Sequence, residues 1–186
     1  MIAGLKYIPD VTDTQQQSDL IELIDTLGAW SDYLKRRTQH YGYKYDYTKR
    51  ALDDSMKAPP IPWWLKQYTT RLVDDGIVTE TPDQLIINEY LPGSGIGKHV
   101  DCVPCFGDTI VSLSLGSICS MEFEHLKSDK RGSMLLAPGS LLVISGEARY
   151  DWTHSIPSRL KDDDLVRSRR VSVSFRKVLS SGNTNI

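Results

Sequence analysis

The chain has 186 residues, 40% apolar and 25% charged, which suits one globular domain with a substantial core and argues against two domains, disorder or a membrane class. Lys and Arg (22) nearly balance Asp and Glu (24), for a formal charge of −2, so bulk positive charge for coating nucleic acid is excluded and only a local basic patch can serve that purpose. No apolar run approaches the roughly 20 residues needed to span a bilayer, and the N-terminus Met-Ile-Ala-Gly-Leu-Lys lacks the features of a signal peptide.

A cytoplasmic monomer without a membrane partner is therefore expected. Cys102, Cys105 and Cys119 are too few for a disulfide scaffold and are expected as reduced thiols. The Cys102-x-x-Cys105 spacing also fits redox chemistry or half a zinc site, although the other half of such a site is missing.

In chain order, Thr12 or Asp13 can cap a first helix in which Leu20, Leu23, Ile24 and Leu27 recur at helical spacing and Gly28 follows as the stop. Lys35 to Arg50 holds six basic residues (Lys35, Arg36, Arg37, Lys44, Lys49, Arg50) against Asp46, with Tyr41, Tyr43, Tyr45 and Tyr47 alternating through it. Cations beside aromatic faces suit a single-stranded or flipped nucleotide, and equally an edge strand whose tyrosines cover the core. A second helix is expected from about Pro62 to Asp75, with Trp64, Leu65, Tyr68, Leu72 and Val73 facing inward and Gly76 ending it.

From residue 84 the pattern becomes short β runs: QLIINEYL, DTIVSLSL, SMEFEH, GSMLLA, SLLVIS, WTHSI and RVSVSFRKV. Turn signals separate them, at Pro92-Gly93-Ser94-Gly95, Gly107-Asp108, Gly116, Pro138-Gly139 and Gly146. Seven such runs indicate a two-sheet jelly roll with the helices packed outside one sheet. The expected organisation is one domain over 1–186: helices and a lid over 1–83, a jelly-roll core over 84–178, and a tail over 179–186.

Two of the four histidines fall in His99-x-Asp101 followed by His154. Side chains two apart on a strand share a side. A histidine from a distant strand would complete the two-histidine, one-carboxylate face that holds non-haem iron(II) with positions left open. H-x-D alone is a weak signal that fits a core or solvated histidine as well. The last β run adds to it, because Arg170, Ser172, Ser174 and Arg176 alternate with Val171, Val173, Phe175 and Lys177. Two arginines with small hydroxyls between them suit a cavity for a dicarboxylate, since a guanidinium grips a carboxylate by two parallel hydrogen bonds. A solvent-facing basic strand is the alternative. Asn88 and Tyr90 share one face of their own run and could donate to the same ligand.

The stretches INEYLPGSGIGKHVD, WTHSI and RRVSVSFR together resemble the AlkB-like family of 2-oxoglutarate dioxygenases, with a likeness spanning about residues 36 to 178 and strongest to the branch that modifies wobble uridine in tRNA. At about one in twenty per residue type, Asn88, Tyr90, His99 and Asp101 at fixed spacing would arise by chance in about one such chain in a thousand. The resemblance implies a double-stranded β-helix, mainly β with N-terminal helices. It implies iron(II) on His99, Asp101 and His154 as the catalytic centre, and dioxygen as oxidant. The C5 carboxylate of 2-oxoglutarate would pair with Arg170, with Arg176 near the other carboxylate and Asn88 and Tyr90 hydrogen-bonding the co-substrate.

It further implies that the 35–50 segment belongs to a nucleotide-recognition lid, with Arg36, Arg37, Tyr41, Tyr43 and Tyr45 as substrate contacts. The partner would then be RNA or DNA, single-stranded or with a flipped base. Hydroxylating an N-methyl carbon would release formaldehyde, whereas on an ordinary carbon, as in a modified wobble uridine, the hydroxyl would stay. A protein hydroxylase and a non-catalytic metal-binding jelly roll remain open at this point.

Overall fold

The computed structural model describes residues 2–34, 36–45, 52 and 55–179. Strand β1 (Leu5–Ile8) leads into helix α1 (Thr14–Leu27), followed by β2 (Thr38–Tyr41), α2 (Trp63–Asp74) and β3 (Gln84–Tyr90). The β-rich part continues with β4 (Ile96–His99), β5 (Ile110–Gly116), β6 (Cys119–His125), β7 (Arg131–Leu136) and β8 (Leu141–Ile144). The short helix α3 (Gly146–Tyr150) precedes β9 (Trp152–Ile156), the hairpin β10 (Lys161–Asp162) and β11 (Leu165–Val166), and β12 (Arg170–Arg176). The strands form an antiparallel six-stranded sheet, β1-β8-β5-β12-β3-β2, and a four-stranded sheet, β4-β9-β6-β7. This is the expected jelly roll, and all seven β runs are strands in it.

Period-two alternation divides the large sheet's residues between two cores. On one face Leu85, Ile87, Val111, Leu113, Val171, Val173 and Phe175 pack under the two helices, against Leu20, Ile24, Trp64, Leu65 and Leu72. On the other face Tyr90, Ile110, Leu142 and Ile144 meet Met121, Phe123 and Ile156 of the small sheet. The helices therefore lie outside one sheet, as expected, and the space between the sheets is left for the site.

Asp13 caps α1 through a capping box with Gln16, whose backbone N–H donates to Asp13 Oδ1 at 2.8 Å. At the other end Gln39 of β2 donates to the Ile24 carbonyl at 2.9 Å and satisfies one of the orphan acceptors of the last turn. Gly28 has φ −85°, so it is not a left-handed cap; a Cβ there would run into the Gln39 side chain. Leu27, expected to face the core, is 60% exposed as the last residue of α1. Val73 is likewise only half-buried, while Thr69 takes a buried position on α2.

Two further differences have physical causes. The division expected at residue 83 falls inside the large sheet: β1 pairs with β8, and β2 pairs with β3. These strands have only four residues each, too few for alternation to show in sequence. Gly146 opens α3 rather than a plain turn.

Candidate active site

The site is built on facing strands. His99 is the last residue of β4 and stands opposite His154 of β9 in register, with ring centroids 4.3 Å apart. Asp101 lies just past the end of β4, in a loop rather than on the strand, yet its Oδ2 is 3.7 Å from His154 Nε2. Arg176 of β12 donates to Asp101 Oδ1 at 2.6 Å. Burial pushes the Asp101 carboxyl up, but the Arg176 guanidinium, His154, His99 and Arg149 together outweigh it and hold the group at about 2. Burial pushes the His154 imidazole down to about 4, so at neutral pH it is an uncharged nitrogen donor. His99 Nδ1 lies 2.8 Å from the Gly97 carbonyl. A carbonyl only accepts, so Nδ1 carries the proton and Nε2 keeps its lone pair.

The inner face of β12 supplies the floor. Ser172 pairs with Ser114 and Ser174 with Ser112, and these small side chains leave an opening between Arg170 and Arg176. Arg170 is 2% exposed. Its Nη2 donates to Ser114 Oγ at 2.8 Å, while its Nε and Nη1 are buried with no protein partner. Arg176 Nε is in the same condition. Buried guanidinium donors without acceptors are rare in a finished core and call for an anionic ligand. His99, Asp101, His154, Arg170 and Arg176, with Asn88 and Tyr90 of β3, line one cavity of about 380 Å³.

The donor set of two imidazoles and a carboxylate fits iron(II), and the unpartnered guanidinium N–H groups fit the carboxylates of 2-oxoglutarate. Among the described residues no three His, Cys, Asp or Glu side chains are already closed around an ion position. Asp101 spends one oxygen on Arg176 and holds the other 3.7 Å from His154. Neighbouring ligands at bonds of about 2.1 Å stand roughly 3 Å apart, a change within reach of side-chain movement.

The basic-aromatic segment does not act as one face. Tyr41 is buried in the helix-side core, edge-on to Trp64 with centroids 6.1 Å apart, and its hydroxyl donates to Gln39 at 2.8 Å. It is therefore a core residue, contrary to the expectation of a substrate contact. Gly42, at φ +77°, breaks the strand, and a Cβ there would collide with the Asp83 carbonyl. Beyond that break Tyr43 lies under the Lys57 ammonium, 3.7 Å from the ring centre, and Tyr45 packs on Phe106 at the cavity wall, with centroids 5.7 Å apart. Lys35, Asp46, Tyr47, Lys49 and Arg50 lie outside the described residues.

Arg36 lines the cavity and donates from Nε to Asn88 Oδ1 at 2.8 Å. Arg37 points the other way, bidentate on Glu89 at 2.6 and 2.7 Å, so its fork is already occupied within the chain. Glu89 also accepts from Arg169 at 2.7 Å, and Arg169 in turn grips Asp25 on α1.

Sequence reasoning missed Arg149, which is 2% exposed. It donates to the carbonyls of Asp101 (2.9 Å) and Cys102 (3.2 Å), bracing the loop that carries Asp101. A single arginine in a short helix gives no periodic signal to find it by. Cys102 and Cys105 are joined by a disulfide rather than reduced, since the tight loop brings their Cα atoms to 5.2 Å, while Cys119 is a free, buried thiol.

Fold and site together define a jelly roll whose cavity between the sheets gathers a His-Asp-His cluster and two arginines with unpartnered buried donors. A model of the 2OG-Fe(II) oxygenase superfamily matches residues 4–176, and the chain belongs to that superfamily. It is 35% identical to an Arabidopsis thaliana protein named alkylated DNA repair protein ALKBH8 homolog, over 95% of this chain and 59% of that one. It is also 35% identical to the tRNA (carboxymethyluridine(34)-5-O)-methyltransferase alkbh8 of Xenopus tropicalis, over 96% of this chain and 32% of that one.

An uncharacterized protein of Acanthamoeba polyphaga mimivirus is 34% identical over 95% of this chain and 85% of its own length. The chain thus spans 59% of the Arabidopsis relative and about a third of the Xenopus one. Among solved structures, that of OsALKBH1 superimposes with a TM-score of 0.73 at 19% identity, covering 95% of this chain and 99% of that one, and shows a shared fold. The resemblance to AlkB-like dioxygenases read from the motifs is borne out. None of the described helices is long and apolar enough to cross a membrane.

Proposed function

We propose that this chain oxidises an alkyl group on a nucleic-acid base, with His99, Asp101 and His154 holding iron(II) and Arg170 and Arg176 holding the carboxylates of 2-oxoglutarate. The observation that carries the reading is the single cavity in which the His-Asp-His cluster, two arginines with unpartnered buried donors, and an aromatic wall of Tyr45 on Phe106 all meet. When bound, iron and 2-oxoglutarate supply the oxidising power of dioxygen, leaving succinate and carbon dioxide as co-products.

The chain's own residues divide the remaining work. The Gly97 carbonyl fixes the His99 tautomer, and Arg176 orients Asp101. Met121, Leu142, Ile144 and Phe106 line the cavity with apolar surface that keeps water from the reacting carbon. Tyr45 offers a face on which a base can stack.

Two outcomes of the same chemistry remain, and the similarity to proteins named for tRNA uridine modification favours a stable hydroxyl on a tRNA base as the second reading beside N-demethylation. Mass spectrometry of nucleosides from tRNA, single-stranded RNA and single-stranded DNA, before and after incubation with iron(II) and 2-oxoglutarate, tests both. N-demethylation lowers the nucleoside mass by one CH2 and releases formaldehyde, whereas stable hydroxylation adds one oxygen. Succinate formed with peptides but with no nucleic acid would replace the proposal with a protein hydroxylase, and no succinate under any condition would leave a non-catalytic module.

A further inference from the structure

Arg36 and Arg37 are adjacent in sequence and serve opposite faces of β3. Arg37 is locked outward on Glu89, and the Glu89 backbone N–H donates to the Arg37 carbonyl at 3.0 Å. Thr38 pairs with Asn88 in register. These ties fix the backbone beside Arg36 and direct its side chain into the cavity. There its Nε donates to Asn88 Oδ1 at 2.8 Å, and its guanidinium lies 6.0 Å from the Tyr90 ring centre, with Arg170 at 5.3 Å from the same centre.

We propose that Arg36 is a positioning residue that fixes the Asn88 amide with its NH₂ group toward the co-substrate, coupling the approach to β2 to the 2-oxoglutarate pocket. The inference rests on the reading above that Asn88 touches 2-oxoglutarate. An asparagine amide has an acceptor end and a donor end of nearly the same shape, exchanged by a half-turn. A guanidinium has donors only, so the end that faces Arg36 must be the oxygen. The Asn88 NH₂ has no protein partner among the described residues, and the side chain lines the cavity. Reversed, the amide would present lone pairs to a dianionic co-substrate; held as it is, it presents donors. Arg36 thereby sets the polarity of that wall without touching the ligand itself.

The test is calorimetric titration of 2-oxoglutarate into the full chain loaded with manganese(II) under anaerobic conditions, for wild type, Arg36→Met, Asn88→Ala and the double variant. Each single change is expected to weaken binding about tenfold, and the double variant to bind no more weakly than Asn88→Ala, because both remove one relay. Arg36→Lys, also a donor-only side chain, is expected to restore most of the affinity; if Arg36→Met does not fold, Arg36→Gln, which can meet the amide with either a donor or an acceptor, replaces it and is expected to weaken binding likewise.

If Asn88→Ala weakens binding while both Arg36 variants bind as wild type, the positioning role is overturned and the reading of Asn88 stands. Additive losses in the double variant would assign Arg36 a separate contact and overturn the relay. Unchanged binding in Asn88→Ala would remove the underlying reading, and the relay with it. A role for Arg36 confined to substrate phosphates would leave this titration unchanged and weaken only nucleic-acid-dependent turnover.

Discussion

Replacing Arg170 separates the co-substrate pocket from the rest of the fold. The side chain is 2% exposed, donates once to Ser114 at 2.8 Å, and holds two further nitrogens buried without a partner. A lysine keeps the charge and loses the planar fork, so Arg170→Lys should forfeit at least one charge-assisted hydrogen bond to the dicarboxylate, about 1.5–3 kcal/mol or roughly a ten- to hundredfold loss of affinity. Arg170→Met should lose more, with a further signature: a buried cation without its anion stabilises nothing, so the ligand-free variant should unfold no earlier than wild type. Wild type at a ligand concentration of about 100 Kd should gain about 2.7 kcal/mol from 2-oxoglutarate, and Arg170→Met should gain almost none. Calorimetry with manganese(II) in place of iron gives the affinities, and thermal denaturation with and without 2-oxoglutarate gives the stabilities. Unchanged affinity in Arg170→Lys, or equal ligand stabilisation in Arg170→Met, would move the dicarboxylate site elsewhere.

Three other outcomes follow from the same geometry. His99→Ala, Asp101→Ala and His154→Ala should each abolish succinate formation while circular dichroism stays native, and full turnover in any one of them would remove that residue from the metal site. Tyr41→Leu should cost about 1–3 kcal/mol in urea unfolding with little effect on substrate affinity, since its ring and hydroxyl serve the core, whereas Tyr45→Leu should weaken substrate binding by about 1–3 kcal/mol if its ring takes a base; the reverse pattern would exchange their roles. Asp162, 1% exposed, is raised by burial but brought down to about 2 by hydrogen bonds from Arg167 and Arg159 and from the Ser120 N–H, so its stabilisation is full above the ordinary carboxylate value of 3.8 and is lost as pH falls toward 2. The stability gap between wild type and Asp162→Asn should therefore be at least about 2 kcal/mol at neutral pH and narrow through that acid window, and a gap independent of pH would refute the assignment.

The strand alternation that made β12 readable also explains what could not be read. Seven runs were legible because each is long enough, or flanked clearly enough by turns, for period two to show, and β12 displayed both of its faces in seven residues: Val171, Val173 and Phe175 for the helix-side core, and Arg170, Ser172, Ser174 and Arg176 for the cavity. The same logic fails at Tyr41, Tyr43 and Tyr45 only in placing all three on one face, because strict alternation in sequence predicts one continuous strand. A single glycine at φ +77° ends that strand and sends Tyr41 to one core and Tyr45 to the other. Sequence makes Arg36 and Arg37 alike as expected substrate contacts, since composition records charge and not the side on which it lies. Their partners Asn88 and Glu89 are 52 positions away and occupy opposite faces of β3, so only the pairing of β2 with β3 could tell the inward guanidinium from the outward one. Of the two, only Arg36 reaches the cavity, so a basic segment that looks uniform in sequence resolves into one arginine that shapes the site and one that braces its scaffold.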